Sequence, residues 1–132
     1  MIKNRDIMLN TEQFPIVAET SIFKETLEKM SLYNLGVACV IGSQNNLTGI
    51  ITDGDIRRKL LNVQKPFSAF FVDDTIDHAI KNPIYSHPET SVKETLSLMT
   101  HHQIWDLPIV DDNNLVGLVH LHPAIKNLIE NI

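Results

Sequence analysis

The chain repeats itself, and this internal repeat constrains its fold more than any other feature of the sequence. KETLEKM at positions 24–30 returns as KETLSLM at positions 93–99. The flanking stretches repeat as well, because NLTGIIT at 46–52 matches NLVGLVH at 114–120. The offset between the copies is 69 residues at KETL and 68 at the glycines, so a single-residue difference separates them. These matches predict one duplicated structural unit.

Each copy has the residue pattern of a β-α-β-β-α unit. In the first copy, Thr20 or Ser21 is the predicted N-cap, and Ile22, Leu27 and Met30 fall on one face of the following helix. Two apolar runs separated by a polar turn then predict a hairpin, and a second helix closes the copy. Since one such unit leaves a face uncovered, the sequence predicts an α/β (α+β) fold of two repeats packed around a pseudo-twofold axis.

The repeat also predicts how the chain is divided. We expect the first repeat at residues 1–61, a connector at 62–75 and the second repeat at 76–132. The connector shows no helical period, and its three phenylalanines are expected to pack on the core. Trp105 stands where the other copy has Gly36, and we expect it to pack between the repeats.

Composition limits the partners and the compartment. Eleven basic and 16 acidic residues give a net charge of −5, which opposes binding to nucleic acid or to an anionic membrane. Cys39 is the only cysteine and lies in an apolar run, which indicates a buried strand residue and no disulfide. No segment approaches the roughly 18 apolar residues of a membrane span. We therefore expect a cytoplasmic protein.

TDGDIRR at positions 52–58 is the segment richest in chemical groups. Thr52 and Asp55 stand where a strand is predicted to end and a helix to begin, a place that suits an anion or a polar ligand. The same Thr-x-x-Asp spacing is also that of a helix capping box, and spacing alone favours capping. Arg57 and Arg58 could hold a phosphate, although basic residues on a short helix are more often only solvated.

His120 and His122 are two residues apart on a predicted strand, so their side chains are expected on one face. No third ligand stands at a recognisable spacing, and we predict no metal site. The chain has no nucleophile elbow, Walker loop, HExxH motif or CxxC pair, so we predict no catalysis within it.

The duplicated unit resembles a tandem pair of CBS domains, on the strength of NNLTGIITDGDIRR in one copy and DDNNLVGLVHLHPAI in the other. Such a pair is a regulatory module that senses adenosine compounds. Three segments also resemble the C-terminal tail of bacterial arabinose-5-phosphate isomerases. They are DIM near the start, TDGDIRR, and VDDNNLVGLVHLH near the end. Those sugar-phosphate isomerases act in lipopolysaccharide biosynthesis, and their catalytic domain precedes the CBS pair. This sequence does not contain that domain.

The resemblance implies a ligand site. In the CBS family, the Thr and Asp of this motif hydrogen-bond the ribose of an adenine nucleotide, which here implies Thr52 and Asp55. Extended residues line the base pocket, which implies Ile16, Val17 and the stretch around Ala38. In the second copy His120 replaces the Thr and Pro123 replaces the Asp, so we expect at most one such site per chain. His120 and His122 remain ligand candidates, because the isomerase tails end in His-x-His.

The resemblance therefore predicts a regulatory, non-catalytic ligand-binding pair that forms a homodimer. The expected effector is AMP, ADP, ATP or a nucleotide-sugar, and the expected partner is the isomerase domain of a parent chain. The alternative is a scaffold for oligomerisation that binds no ligand.

Overall fold

The computed structural model of the protein describes residues 1–131, which form two compact units. We call Gln13–Pro83 the N-repeat unit, and we call Met1–Glu12 together with the chain from Ile84 onward the C-repeat unit. These units do not follow the linear division at residues 61 and 75, because each unit includes a segment from outside its own repeat. The boundaries of the duplicated sequence itself stay a prediction.

Helices and strands alternate along the chain, and the predicted mixed α and β fold is confirmed. Both repeats contain the expected helix, hairpin and closing helix. The elements are α1 (Asn4–Ile7), β1 (Ile16–Ala18), α2 (Phe23–Tyr33), β2 (Val37–Ile41), β3 (Leu47–Thr52), α3 (Asp53–Asn62), α4 (Phe67–Phe70), a 3-10 helix (Thr75–His78), β4 (Ile80–Lys81), α5 (Val92–His102), β5 (Asp106–Asp111), β6 (Asn114–His120) and α6 (Leu121–Glu130).

The N-repeat unit contains a four-stranded sheet in the order β1-β2-β3-β4. Strands β1 and β2 are parallel, and the other neighbours are antiparallel. Val37, the first residue of β2, pairs with Thr52, the last residue of β3. This register places the start of β2 beside the turn that carries the predicted ligand residues.

The C-repeat unit repeats this arrangement with shorter outer pairings. Strands β5 and β6 form the antiparallel hairpin. A parallel bridge from Ser86 to Ile109 takes the place of β1, and an antiparallel bridge from Leu9 to Leu118 takes the place of β4. One edge of each sheet is therefore formed by a segment from outside its own repeat. In the N-repeat unit this segment follows the repeat in sequence, and in the C-repeat unit it precedes the repeat.

Gly49 and Gly117 allow those outer segments to approach the hairpins closely. A Cβ at Gly117 would lie 2.9 Å from the carbonyl oxygen of Leu9, and one at Gly49 would lie 3.0 Å from the Cβ of Ala79. The equivalent glycines of the duplicated sequence thus serve one structural purpose, which explains why both copies have one.

Each unit has its own hydrophobic core. In the N-repeat unit, helix and strand side chains meet around Phe70, which is 1% exposed. All of β2 except its last residue is buried, and the predicted burial of Cys39 is confirmed. The two core clusters comprise Phe23, Met30, Ala38, Ile51 and Phe70 in one unit, and Val92, Met99, Leu107, Ile109, Val119 and Ala124 in the other.

The repeated helices differ at their first residues. Helix α5 is capped by Ser91, whose hydroxyl accepts a hydrogen bond from the Glu94 amide at 3.1 Å. The N-cap of α2 is Ile22, which makes no side-chain cap, so the prediction of Thr20 or Ser21 as N-cap is wrong. Hydrophobic periodicity located this helix, but it did not fix which residue starts it.

The predicted connector is structured and belongs to the N-repeat unit. It contains α4 and leads into the 3-10 helix, and only its second phenylalanine is buried. Phe67 is 68% exposed and Phe71 is 39% exposed, so their predicted core packing is wrong. Both lie at the ends of a single helical turn, which can turn only one of the three aromatic side chains inward.

Candidate functional site

The turn from β3 into α3 holds the predicted ribose residues, and the structure shows it as a capping box. The Asp55 amide donates to Thr52 Oγ1 at 3.2 Å, and Asp55 Oδ2 accepts from the Thr52 amide at 3.1 Å. Thr52 Oγ1 also donates to Asp55 Oδ2 at 2.9 Å. Two helix-end donors are thereby satisfied reciprocally, as the spacing predicts.

The second oxygen of Asp55 is less engaged. Asp55 Oδ1 accepts a 2.8 Å hydrogen bond from the guanidinium of Arg58, one turn later on α3. The Asp55 side chain is 13% exposed, whereas that of Arg58 is 57% exposed. Thr52 therefore holds one oxygen of the carboxylate in place, and the other oxygen bonds an exposed surface cation.

The remaining sequence candidates fall into two groups. Arg57 is exposed beside Arg58 on α3. Val17 and Ala38 are buried, with Ala38 inside the core cluster, while Ile16 is partly exposed at the start of β1. Ala38 is 0% exposed, so neither its side chain nor its backbone is open to a ligand.

A cavity of about 360 Å³ opens next to this turn, and the sequence analysis did not predict it. Its floor is Gly36, where an added Cβ would come 2.5 Å from Asp53 Oδ2. Asp53 is the first residue of α3, and its exposed carboxylate makes no hydrogen bond within residues 1–131. The lining residues are Leu27, Met30, Ser31, Asn34, Leu35, Gly36 and Asp53.

The corresponding turn of the C-repeat unit has the same backbone and different side chains. Leu121 takes the place of Asp53, because its amide bonds the Trp105 carbonyl as the Asp53 amide bonds that of Gly36. Trp105 is 65% exposed, and its packing between the repeats stays a prediction. Pro123 gives the turn no acceptor, and α6 has no side-chain cap.

His120 and His122 flank the start of α6, with ring centroids 6.4 Å apart. His120 Nδ1 lies 2.6 Å from Asp106 Oδ1, whose side chain is only 8% exposed. Sequence analysis missed Asp106, because it is 14 residues from His120 and only the register of the folded hairpin pairs the two. Within residues 1–131, no group of three or more His, Cys, Asp or Glu side chains is placed to hold a metal ion.

The chain belongs to the CBS domain family, whose sequence profile matches residues 5–62 and 75–122. This family consists of regulatory, non-catalytic domains. The two matched stretches make the chain a tandem pair. No helix within residues 1–131 has the length and apolar character needed to cross a membrane.

Three relatives show how far the similarity extends. An uncharacterised protein of Rickettsia prowazekii is 35% identical over 96% of this chain and 38% of its own length. The CBS domain-containing protein YhcV of Bacillus subtilis is 31% identical over 92% and 83%. The arabinose 5-phosphate isomerase KdsD of Escherichia coli is 25% identical over 96% and 37%. The chain thus spans less than two fifths of the first and third relatives.

Solved structures share the fold over nearly the whole chain. CBSX2 in complex with AMP superposes with a TM-score of 0.85 at 19% identity, covering 99% of this chain and 98% of CBSX2. A CBS domain pair in complex with 5'-methylthioadenosine and S-adenosylmethionine gives 0.78 at 22% identity, covering 99% and 98%. At these identities the likeness establishes the fold alone.

Proposed function

We propose that this chain is a regulatory module that binds one adenine nucleotide, AMP, ADP or ATP, or a nucleotide-sugar, on the N-repeat unit. The observation that carries the proposal is the carboxylate of Asp55, fixed in the first turn of α3 with one oxygen bonded only to the exposed Arg58. A ribose offers two neighbouring hydroxyl donors, which suit a carboxylate acceptor of this kind.

The hydrogen-bond capacity of Asp55 leaves room for such a ligand. A carboxylate accepts at about four sites, and Thr52 takes two of them through Oδ2. Arg58 takes one more through Oδ1 in an ion pair that is more than half exposed on the cation side. Since exposed ion pairs stabilise a protein by only about 0–1 kcal/mol, a ribose hydroxyl could displace Arg58 at little cost.

The displaced guanidinium would then be available to a phosphate. Arg57 and Arg58 are adjacent in the second turn of α3. A planar guanidinium binds phosphate oxygens in bidentate fashion. On nucleotide binding, a ribose hydroxyl would therefore replace Arg58 as the partner of the Asp55 carboxylate. The guanidinium groups of Arg57 and Arg58 would then bind the phosphate.

Two of the solved relatives contain adenine-bearing ligands, which supports this ligand class for our chain. We place the base at the edge of the sheet formed by Ile16 and Val17, where Ile16 is partly exposed, while Ala38 stays inside the core. The second copy has His120 and Pro123 in place of the motif residues, so we propose one ribose site per chain.

The second candidate function is a scaffold for oligomerisation without a ligand. The closed capping box favours it, because Thr52 and Asp55 already have a structural role. Leu32 on α2 and Leu61 on α3 are 81% and 74% exposed, as they would be on a surface that pairs in a dimer. We propose a homodimer under both candidate functions.

We further propose that the module regulates an attached or associated sugar-phosphate isomerase domain of the arabinose 5-phosphate type. The support is the similarity to KdsD, of which this chain matches 37%. In this proposal the module carries no catalysis itself. Isomerisation of ribulose 5-phosphate by the purified chain would contradict it.

Nucleotide binding can be tested by thermal unfolding of the chain in the presence of candidate ligands. These are AMP, ADP, ATP, S-adenosylmethionine and CMP-Kdo, a nucleotide-sugar of lipopolysaccharide biosynthesis. A ligand at about 100 times its dissociation constant stabilises the folded chain by about 2.7 kcal/mol, and we expect the midpoint to rise by several degrees. Asp55→Ala should abolish the shift, besides costing about 1 kcal/mol through the lost cap.

The matched control is Asp74→Asn, an exposed carboxylate outside this turn. It removes a carboxylate that has no hydrogen-bond partner within residues 1–131, so the ligand shift should persist. A shift that survives Asp55→Ala would remove Asp55 from the site. No shift with any of the five compounds would favour the scaffold.

A further inference from the structure

We propose that the C-repeat unit binds one divalent transition-metal ion, of the class of Zn²⁺, through His120 and His122, with Asp106 orienting His120 from the opposite side of its ring. This site is independent of the nucleotide site proposed for the N-repeat unit. It lies at the turn where the duplicated motif has lost its Thr and Asp.

The contact between His120 and Asp106 prepares the imidazole to bind a metal. An ionised carboxylate only accepts hydrogen bonds, so Nδ1 of His120, 2.6 Å from Asp106 Oδ1, carries the ring proton. In the neutral ring, Nε2 then has a free lone pair. Metal-binding histidines almost always donate their other ring N–H in this way, because the partner fixes the tautomer and raises ligand basicity.

Burial distinguishes this pair from an ordinary surface contact. The Asp106 side chain is 8% exposed and that of His120 is 25% exposed, so the carboxylate is enclosed while the edge of the ring reaches solvent. Within residues 1–131, Nε2 of His120 forms no hydrogen bond. The structure thus holds the ring in position and leaves the donor atom unused.

His122 provides the second donor. Its side chain is exposed at the second residue of α6, and its ring centroid lies 6.4 Å from that of His120. Two imidazoles on one tetrahedral ion, with nitrogens about 2.0–2.1 Å from the metal, have centroids roughly 5 Å apart. His122 is exposed, and in this proposal its side chain rotates on binding to close that difference.

Two charge effects oppose each other here. The N-terminus of α6 disfavours a cation, whereas the ionised Asp106 favours it. Two protein ligands leave two positions of a tetrahedral ion for water or an external anion, which is the character of an open site and not of a closed structural one. In the N-repeat unit the corresponding residues are Val37, Thr52 and Gly54, so no equivalent site exists there.

Calorimetric titration of the full chain, without a histidine tag, with Zn²⁺ tests the proposal. We expect one Zn²⁺ per chain, at least tenfold weaker binding in His122→Gln, and about tenfold or more weaker binding in Asp106→Asn. The matched control is His101→Gln with His102→Gln, since those two exposed histidines also adjoin, with ring centroids 4.9 Å apart.

The imidazole nitrogen resonances of His120 provide a second readout, because Nε2 should shift on Zn²⁺ addition while Nδ1 keeps its proton. His122 is exposed, so its variant tests the site even if Asp106→Asn fails to fold. Absence of binding, binding unchanged in His122→Gln, or binding lost in the control variant would each overturn the proposal.

Discussion

The turns after β3 and β6 have the same backbone connection and opposite chemistry. In the N-repeat unit, Gly36 and Asp53 leave an open polar cavity, whereas in the C-repeat unit their counterparts are Trp105 and Leu121. The bond that joins each turn to the start of its hairpin is retained in both, at 3.0 Å and 2.8 Å. The fold therefore requires the backbone geometry of this turn and leaves its side chains free to diverge in function.

The buried polar contacts of the two units differ in the same way. In the N-repeat unit, the Thr26 and Thr75 hydroxyls lie 2.6 Å apart, and Thr75 also donates to the Ser21 carbonyl at 2.7 Å. The repeat equivalent of Thr26 is Thr95, whose buried hydroxyl has no hydrogen-bond partner within residues 1–131. The duplicated KETL motif thus has a satisfied threonine in one unit and an unsatisfied one in the other.

The largest expected difference between the units is at the two glycines that admit the outer segments. We expect Gly117→Ala to destabilise the chain by about 1–3 kcal/mol, the usual cost of overpacking, because the new Cβ would lie 2.9 Å from the Leu9 carbonyl oxygen. Gly49→Ala should cost less, since its nearest backbone atom, the carbonyl oxygen of Ile80, is 3.3 Å away. Urea unfolding measures both, and a larger loss for Gly49→Ala would contradict this ranking.

A smaller difference is expected at the two threonines. Thr26→Val should cost about 0.5–1.5 kcal/mol, the usual net value of one hydrogen bond, because the buried Thr75 hydroxyl keeps its bond to the Ser21 carbonyl and loses only the one to Thr26. Thr95→Val should be neutral or stabilising, since it removes a buried hydroxyl that bonds nothing in the described chain and keeps the side-chain shape. Equal losses in the two variants, measured by chemical unfolding, would show that the units do not differ here.

The smallest expected effect is a pH dependence from Asp73 in the N-repeat unit. The hydrogen bond from Lys65 to Asp73, at 2.6 Å, and then that from His78, hold the pKa of Asp73 below its usual value of 3.8. A depressed carboxyl pKa stabilises the folded chain above pH 3.8, and this contribution disappears as the pH falls through the folded pKa.

Asp73→Asn should therefore flatten the acid limb of a plot of unfolding midpoint against pH. The repeat equivalent of Asp73 is Ile2, because the Asp73 carbonyl accepts from the first amide of α2 and the Ile2 carbonyl accepts from the first amide of α5. The C-repeat unit consequently has no counterpart of this effect. An acid limb unchanged in the variant would show that the Asp73 contacts do not persist in solution.

Most of the fold could be predicted from the sequence, because the duplication shows the residue pattern of each helix and strand twice. Hydrophobic periodicity located both repeat helices and both hairpins. It did not predict that each unit is completed by a distant segment, because the pairings of Leu9 with Leu118 and of Ile80 with Ile50 are long-range and have no local signature.

Some residues of the candidate sites could be predicted from the sequence and others could not. The Thr52 and Asp55 pair could be found because helix capping and ligand binding use the same short spacing. Asp106 could not, because its relation to His120 depends on the hairpin register, and neither could the cavity over Gly36, which depends on how α2 and α3 pack. Short-range motifs can be read from sequence, whereas residues brought together by the sheet require the structure.

Calorimetric titration of the chain with AMP, ADP and ATP in turn tests most directly whether the two turns have different functions. We expect at least one of these nucleotides to bind with a stoichiometry of one per chain. This binding should be lost in Asp55→Ala and retained in His120→Gln. Two equivalent sites per chain, or binding abolished by His120→Gln and unaffected by Asp55→Ala, would contradict it.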